Sequence, residues 1–256
     1  MSYKCCKYLF HQLVFDISEI KPCCEVALNN EHLSFINISD MNDFNILEYQ
    51  EQRNKIINDF KQNKIPNACI NCPALKESEW DKEDFILNRI IMANIPKCSC
   101  NCIYCVYTYN NPENKKKFNT LTPYNIKPLL NLLKNQNKIQ ENFFLVIGGG
   151  ECTEFPMGEL EWLIYFTEFF KGRIQFLSSG IAYSKAIEKK LRMGNAELII
   201  SPDSGTKKTY EKIKQVNKYA QVWKNIKKYS KVASPLSRIE VKYIIIPQIN
   251  DSIEEF

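Results

Sequence analysis

The segment from Cys98 to Cys105 is the part of this sequence best suited to metal chemistry. Three residues separate Cys98 from Cys102, two separate Cys102 from Cys105, and Tyr104 comes just before the last thiol. One short loop therefore offers three thiolates, one fewer than a closed tetrahedral metal site or a fully ligated 4Fe–4S cube requires. Because chemistry at a metal needs an open coordination position, this spacing predicts a reactive metal centre.

A second group of cysteines precedes this loop. Cys69 and Cys72 have the spacing of a metal-binding knuckle, and two adjacent pairs lie nearer the N-terminus. These pairs are Cys5 with Cys6 and Cys23 with Cys24. One cysteine from each pair would complete a four-thiolate site. The sequence does not decide which member of each pair binds, and Cys6 and Cys23 are preferences only. Four thiolates saturate either a zinc ion or a 4Fe–4S cube, so this second site is predicted to be closed, with the choice of metal left open.

The composition limits the kinds of metal centre and partner. Eleven cysteines are hard to explain as disulfides in a reducing cytosol, and no apolar run suits a membrane span or signal peptide. We therefore expect a cytoplasmic protein. The only histidines, His11 and His32, argue against haem and histidine-based zinc sites. A net charge of +5 is mild for 256 residues, so the lysines at 115–117 are expected in a solvated loop rather than at a nucleic acid.

From about residue 86 onward, short apolar runs alternate with amphipathic segments, which predicts βα units around a parallel sheet. We place strands in 85–92, 143–147, 174–177, 197–200 and 239–246, and helices in 122–133, 160–170, 184–194 and 206–214. Five strands leave one edge of such a sheet open, which is a liability. Either a partner or the N-terminal segment covers that edge, or the chain is a fragment, which we favour.

Glycine and polar residues follow the predicted strands at their carboxyl ends. Gly148-Gly149-Gly150-Glu151 follows the second strand, Ser178-Ser179-Gly180 the third and Ser201-Pro202-Asp203 the fourth. Glycine lets the backbone approach a ligand closely, and the Glu151 carboxylate can accept hydrogen bonds from an ammonium group. Taken alone these segments are also ordinary turns and helix caps. Cys152, which comes next, is expected to be a packed thiol.

Together these segments resemble the radical SAM enzymes. Cys98, Cys102 and Cys105 have the spacing of that family's cluster loop, including the aromatic residue before the last cysteine. Cys100 does not fit the spacing and is expected to be a bystander. The resemblance implies that three thiolates hold a 4Fe–4S cluster and that S-adenosylmethionine (SAM) chelates the fourth iron. It covers residues 86–256 in strand order and motifs.

The resemblance also implies a set of SAM-binding residues. They are Gly149, Gly150 and Glu151 for the SAM amino group, Ser178 and Ser179 for its methionine portion, and Ser201 and Asp203 for its ribose. The family often has proline after its Gly-Gly-Glu motif, whereas this chain has Cys152.

In fold, the resemblance implies an α/β protein with a partial (β/α)6 TIM-like barrel, truncated after the fifth strand. We predict a radical SAM core domain over residues 85–256 and a small cysteine-rich module over residues 1–84. The N-terminal cysteines resemble SPASM and twitch modules, which hold auxiliary clusters but usually follow the barrel. We expect these cysteines to hold a second 4Fe–4S cluster, with zinc as the alternative.

In function, the resemblance implies that a reduced cluster cleaves SAM to a 5′-deoxyadenosyl radical, which abstracts hydrogen from a substrate. The auxiliary site favours a peptide or protein substrate, and a sugar or another small molecule is the alternative. A one-electron donor such as flavodoxin or ferredoxin is the expected partner. An interpretation from a different class is a non-catalytic iron–sulfur or zinc protein, which would have no use for Gly149-Gly150-Glu151 at its position after the second strand.

Overall fold

A computed structural model describes residues 2–17, 19–23, 33, 36–37, 46–95, 97–105, 107, 113 and 125–255. Cys24, His32, the lysines at 115–117 and the helix start at 122–123 lie outside these residues. The chain divides into two compact units. Unit 1 comprises Met1–Asn94 and Tyr124–Phe144, and unit 2 comprises Ile95–Pro123 and Leu145–Phe256.

Strands and helices alternate through much of the described chain. The strands are β1 (Tyr3–Cys6), β2 (Gln12–Phe15), β3 (Glu19–Lys21), β4 (Ile36–Asn37), β5 (Leu75–Ser78), β6 (Leu87–Met92), β7 (Ile139–Ile147), β8 (Arg173–Ser178), β9 (Ala196–Ile200) and β10 (Arg238–Val241). The α-helices are α1 (Tyr8–His11), α2 (Ile46–Lys61), α3 (Lys127–Asn135), α4 (Met157–Phe169), α5 (Lys185–Met193), α6 (Lys207–Lys214) and α7 (Tyr219–Val232). Short 3-10 helices cover Asn67–Cys69, Trp80–Lys82, Cys152–Glu154 and Ile253–Glu255.

Unit 1 contains two strand arrangements. Strands β1 and β5 form an antiparallel pair in which Cys6 lies opposite Leu75. Separately, β2 pairs in parallel with β6 and antiparallel with β3, which in turn pairs antiparallel with β4. All four residues of β2 are buried. Such a continuous buried run is typical of a strand covered on both faces.

Unit 2 is built on parallel strands connected by helices. β8 pairs with β9 and β9 with β10, all in parallel. The inward residues of β8 and β9, such as Phe176 and Leu198, are buried, as are Ile187 and Leu191 on α5. The hydrogen-bonded pairing of the strands sets their spacing, and the apolar layer holds the helix against the sheet. The carboxyl ends of these strands carry the polar residues predicted from the sequence.

The Glu255 carboxylate caps the first turn of helix α6. The Glu255 carboxylate accepts hydrogen bonds from the Ser204 hydroxyl, from the backbone N–H of Gly205 and from the N–H and hydroxyl of Thr206. Thr206 is itself the N-cap, and its hydroxyl accepts from the Thr209 N–H. The otherwise unpaired donors at this helix start are therefore satisfied by side chains.

The strands and helices predicted between residues 139 and 214 are confirmed, with small differences at their ends. The helix predicted from Ser184 runs over Lys185–Met193, with Ser184 as its N-cap and Gly194 after its last residue. The fifth strand, predicted to reach residue 246, was wrong in length and ends at Val241. Its continuation is irregular because side chains take the backbone donors: Ile244 N–H bonds to Asp203 and Ile246 N–H to Asn250.

Helix α7 and the strands before β6 were not predicted. Among the described residues, no helix is both long enough and apolar enough to cross a membrane.

Candidate functional site

The cysteine loop is anchored to the C-terminal end of helix α6. The backbone N–H of Asn101 donates to the Lys214 carbonyl at 3.0 Å, and that of Ile103 donates to the Ile213 carbonyl at 3.0 Å. The last carbonyls of a helix have no partner within the helix, so the loop satisfies them and is positioned by them. A further bond from Cys105 N–H to the Cys102 carbonyl, 3.1 Å long, closes a turn within the loop.

The three predicted ligands of this loop are half-buried, and Cys100 is buried. Hydrogen bonding with the Cys100 thiol lowers the pKa of Cys98. The same thiol and the Lys214 ammonium together lower the pKa of Cys102 to about 6, against the effect of burial. Thiolates are the ligand form of cysteine. Cys100 is thus in contact with two of the predicted ligands, and its exclusion from the ligand set stays a prediction.

The turn after β7 is tied by its backbone to the segment that enters the cysteine loop. Gly150 N–H donates to the Ile95 carbonyl at 3.0 Å, and Glu151 N–H donates to the Lys97 carbonyl at 2.8 Å. A Cβ at Gly150 would stand 2.4 Å from the Ile95 oxygen and 2.3 Å from the Lys97 oxygen. Gly149 has φ +91°, a left-handed conformation that glycine adopts without strain. Both glycines are therefore required by the backbone.

The Glu151 carboxylate joins this turn to the end of β8. It is buried, and its Oε1 accepts from the Thr153 N–H at 3.1 Å, the Thr153 hydroxyl at 2.9 Å and the Ser178 hydroxyl at 2.7 Å. Oε2 accepts from Ser179 N–H at 2.7 Å, its single hydrogen bond among the described residues. A carboxylate oxygen has about two acceptor positions. Oε2 can therefore accept one further donor, such as an ammonium group.

Cys152, next to Glu151, is a buried thiol. Its Sγ lies 3.7 Å from Glu151 Oε1. Burial, together with the neighbouring Glu151 charge, raises the pKa of this thiol well above its usual value. This agrees with the expectation of a packed thiol.

A buried ion pair holds the aromatic residue of the cysteine loop. Asp203 is inaccessible to solvent, and its Oδ2 accepts from Lys214 Nζ at 2.5 Å and from the Tyr104 hydroxyl. Lys214 Nζ also donates to the Tyr104 hydroxyl at 2.7 Å, and Asp203 Oδ1 accepts from Ile244 N–H at 2.8 Å. The carboxylate is thus occupied by protein donors. The ribose contact predicted for Asp203 stays a prediction.

Several predicted residues are brought together and one important residue was missed. Ser201 N–H donates to the Ser178 carbonyl at 3.1 Å, so the ends of β8 and β9 are adjacent. Lys214 was not singled out by the sequence analysis. The sequence could have indicated it. Tyr210, Ile213 and Lys214 recur at helical spacing and form the buried face of α6, and a lysine on an apolar helical face needs a partner.

Comparison with known proteins identifies the family. The fold class is α/β with mostly parallel strands, and the sequence profile of the Radical SAM superfamily matches residues 95–256. The chain therefore belongs to the radical SAM superfamily, whose members are enzymes that use a 4Fe–4S cluster and SAM. No curated protein matches the sequence.

Two solved structures resemble the chain in fold. Streptococcus suis SuiB bound to precursor peptide SuiA has 14% sequence identity and a TM-score of 0.50, over 88% of this chain and 44% of SuiB. SuiB bound to S-adenosylmethionine has 15% identity and a TM-score of 0.49, over 87% of this chain and 43% of SuiB. The chain thus spans less than half the length of SuiB, and at this identity the likeness shows the fold alone.

The residues of unit 2 fit the cofactors that the family implies. The donor set is right for a cluster, since one loop carries three half-buried thiols whose neighbours favour the thiolate. Among the described residues no three histidine, cysteine or carboxylate side chains group closely enough to hold a single metal ion. A cube instead takes each thiolate at a different iron. The free acceptor position on Glu151 suits an amino group.

Proposed function

We propose that this protein is a radical SAM enzyme that modifies a peptide or protein. The observation that carries the enzyme assignment is the backbone connection of Gly150 and Glu151 to Ile95 and Lys97, in the segment that enters the cysteine loop. A protein that merely stores or passes on iron has no need to hold a Gly-Gly-Glu turn against its cluster loop. The non-catalytic alternative is therefore disfavoured.

In this proposal Cys98, Cys102 and Cys105 hold the 4Fe–4S cluster, while Cys100 remains protonated beside them. The bound cluster and SAM supply the radical chemistry, and the protein supplies orientation and shielding from water. Glu151 Oε2 accepts a hydrogen bond from the SAM amino group. The Asp203–Lys214 pair fixes Tyr104, and so fixes the segment between the second and third thiols.

The remaining contacts to SAM belong to the same proposal. Gly149 and Gly150 let the backbone come close to the amino group, Ser178 and Ser179 meet the methionine portion, and Ser201 and Asp203 meet the ribose. The electron comes from a flavodoxin or ferredoxin. Supporting this arrangement, Glu151 already binds the Ser178 hydroxyl and the Ser179 N–H.

A peptide or protein is the preferred substrate for two reasons. One is the likeness in fold to SuiB, which has been solved bound to a precursor peptide. The other is the second metal site predicted from the N-terminal cysteines, an auxiliary 4Fe–4S cluster or zinc. A sugar or another small molecule is the alternative substrate.

Anaerobic reconstitution of the full-length protein with iron, sulfide, SAM and dithionite tests the enzyme assignment. We expect 5′-deoxyadenosine to form, and we expect Cys102→Ala to abolish it because the cluster loses a ligand. Cys100→Ala is the matched control, two residues away, and should retain SAM cleavage. Cleavage that survives Cys102→Ala, or its absence from the reconstituted full-length protein, would overturn the proposal.

The substrate class can be tested by isotope transfer. The reconstituted enzyme is incubated with a peptide pool from cells grown in deuterated medium, or with a mixture of deuterated sugars. Hydrogen abstraction by the proposed mechanism moves deuterium into 5′-deoxyadenosine, which mass spectrometry detects. We expect transfer from the peptide pool; transfer only from the sugars would favour the small-molecule alternative.

A further inference from the structure

Unit 1 contains a cavity of about 250 Å³ that none of the SAM chemistry uses. Four of its lining residues are the cysteines favoured from the sequence: Cys6, Cys23, Cys69 and Cys72. The other walls include Leu9, Pro22, Leu33 and Ala68, and no charged side chain lines it among the described residues. Four cysteines from three separate segments thus line one apolar space.

A tight turn places two of these cysteines, Cys69 and Cys72, next to each other at the cavity wall. Cys72 N–H donates to the Cys69 carbonyl at 3.1 Å. Between them Ile70 has φ −61° and ψ 127°, and Asn71 has φ +61°. These angles define a type II turn, in which the third residue must be left-handed, and asparagine tolerates that conformation. The turn brings both ends of the knuckle to the same side.

Strand pairing selects the third thiol. In the β1–β5 register Cys6 lies opposite Leu75, three residues after Cys72. Successive side chains of a strand point to opposite faces. Cys5 is also buried, yet it is absent from the cavity lining, whereas Cys6 lines it. The strand therefore distinguishes two adjacent cysteines that the sequence could not.

The fourth thiol follows β3 and is fixed by its neighbour. The Pro22 carbonyl accepts a hydrogen bond from the buried Gln12 side chain at 3.0 Å, which holds the chain just before Cys23.

We propose that this cavity is a closed iron–sulfur site, in which Cys6, Cys23, Cys69 and Cys72 hold a 4Fe–4S cluster. Each thiol releases its proton as it binds an iron, and the positive charge of the metal replaces the cations that the cavity lacks. The size of the cavity favours a 4Fe–4S cluster over a zinc ion as the occupant. Zinc draws its four sulfurs to about 2.3 Å and leaves no such space, whereas a cube places four irons and four sulfides between them.

This proposal makes specific the second metal site on which the proposed peptide substrate partly rests, and its test does not depend on SAM cleavage. The test uses the full chain carrying Cys98→Ala, Cys102→Ala and Cys105→Ala, reconstituted anaerobically with iron and sulfide in the presence of equimolar zinc. We expect about four irons and four sulfides per chain to remain, with visible absorption that dithionite bleaches. Retention of zinc without sulfide, or of no metal, would overturn the proposal.

Single substitutions in that background test the ligand set. Cys6→Ser, Cys69→Ser or Cys72→Ser should each remove most of the iron, while Cys5→Ser should retain it. Iron loss with Cys5→Ser and retention with Cys6→Ser would contradict the assignment. To separate ligand loss from misfolding, Cys6→Ser is also made with the 98–105 cysteines intact, where about four irons should persist.

Discussion

At the scale of single residues, the candidate site depends on contacts that few other side chains could make. The carbonyls of Ile95 and Lys97 leave no room for a side chain at Gly150. Asp203 and Lys214 are both buried, so each neutralises a charge that water cannot reach. These residues position the cysteine loop without belonging to the thiolate set.

Gly150→Ala is expected to destabilise the protein. Its Cβ would meet backbone atoms that cannot rotate away, so we expect a loss of about 1–3 kcal/mol in the free energy of unfolding, the usual cost of overpacking. Urea denaturation measures this loss. Gly158→Ala in helix α4 is the control, because a Cβ there meets nothing within 4 Å. That change should be neutral or stabilise by about 0.5–1 kcal/mol, and an equal effect of both variants would contradict the steric explanation.

Lys214→Met is expected to be more damaging than the loss of a surface lysine. It leaves the Asp203 carboxylate buried without a cation, which in other proteins costs about 3–5 kcal/mol. The exposed Lys212 lies on the same helix, and Lys212→Met should change stability by less than about 0.5 kcal/mol. Adding Asp203→Asn to Lys214→Met should recover part of the loss in urea denaturation. No recovery would mean that the ion pair is not the cause.

At the scale of elements, helix α6 links two distant parts of unit 2. Its first turn is covered by the Glu255 carboxylate, and its last carbonyls receive the backbone of the cysteine loop. A negative charge at the start of a helix is favourable because the unpaired N–H groups there are positive. Changes at residue 255 should therefore reach the cysteine loop through one short helix.

Glu255 should make the stability of the protein sensitive to acid. Burial raises the pKa of this carboxyl, but hydrogen bonds from Thr209, Thr206 and Ser204 outweigh burial and hold the pKa below its ordinary value of 4.5. A lowered folded-state pKa stabilises the protein above the unfolded-state value, and that contribution disappears as the pH falls through the lowered one. Glu255→Gln should therefore cost about 0.3–1 kcal/mol at pH 7 and progressively less below pH 4.5.

Urea denaturation of both proteins between pH 7 and pH 3 measures this difference. Glu161→Gln, at an exposed position of α4, is the control and should show no comparable trend. A deficit of Glu255→Gln that is constant across this range would show that charge is not involved.

Apart from helix α7, the sequence predicted the strand and helix order of unit 2 well, because apolar periodicity is strong there. It failed where the deciding interactions are long-range. β10 ends at Val241 because side chains from Asp203 and Asn250 capture the following backbone donors, and no local pattern shows that. The strands of unit 1 are two to six residues long, too short for a clear alternation. Helix α7 carried a usable signal in Val222, Ile226 and Tyr229, which are buried at helical spacing.

In the candidate site too, the local patterns could be predicted from the sequence and the long-range contacts could not. The thiolates and the Gly-Gly-Glu turn are recognisable because their spacing is local. The partner of Tyr104 is 110 residues away at Lys214, so only the folded chain reveals it. The choice between Cys5 and Cys6 likewise depends on which face of a strand lines a cavity.

At the scale of the whole molecule, the described cysteines divide between the two units. Unit 1 carries Cys5, Cys6, Cys23, Cys69 and Cys72, and unit 2 carries Cys98, Cys100, Cys102, Cys105 and Cys152. Every residue proposed to contact SAM lies in unit 2. Reductive cleavage of SAM should therefore require one set of thiols and not the other.

Cys69→Ser tests this separation. We expect the variant, reconstituted and reduced with dithionite, to form 5′-deoxyadenosine at a rate comparable to that of the unchanged protein, while its iron content falls by about half. Cys102→Ala should show the opposite pattern, with no cleavage and the same fall in iron. Loss of cleavage in both variants would mean that the two sets are not independent.

The attachment of the cysteine loop to α6 also bears on the order of events during synthesis. Tyr104 leaves the ribosome 110 residues ahead of Lys214, which at ordinary rates of translation is a delay of roughly 5–20 s. Until then the loop has neither its helix nor its ion pair. In the proposed enzyme, delivery of iron to Cys98, Cys102 and Cys105 in their final geometry would therefore follow translation of α6.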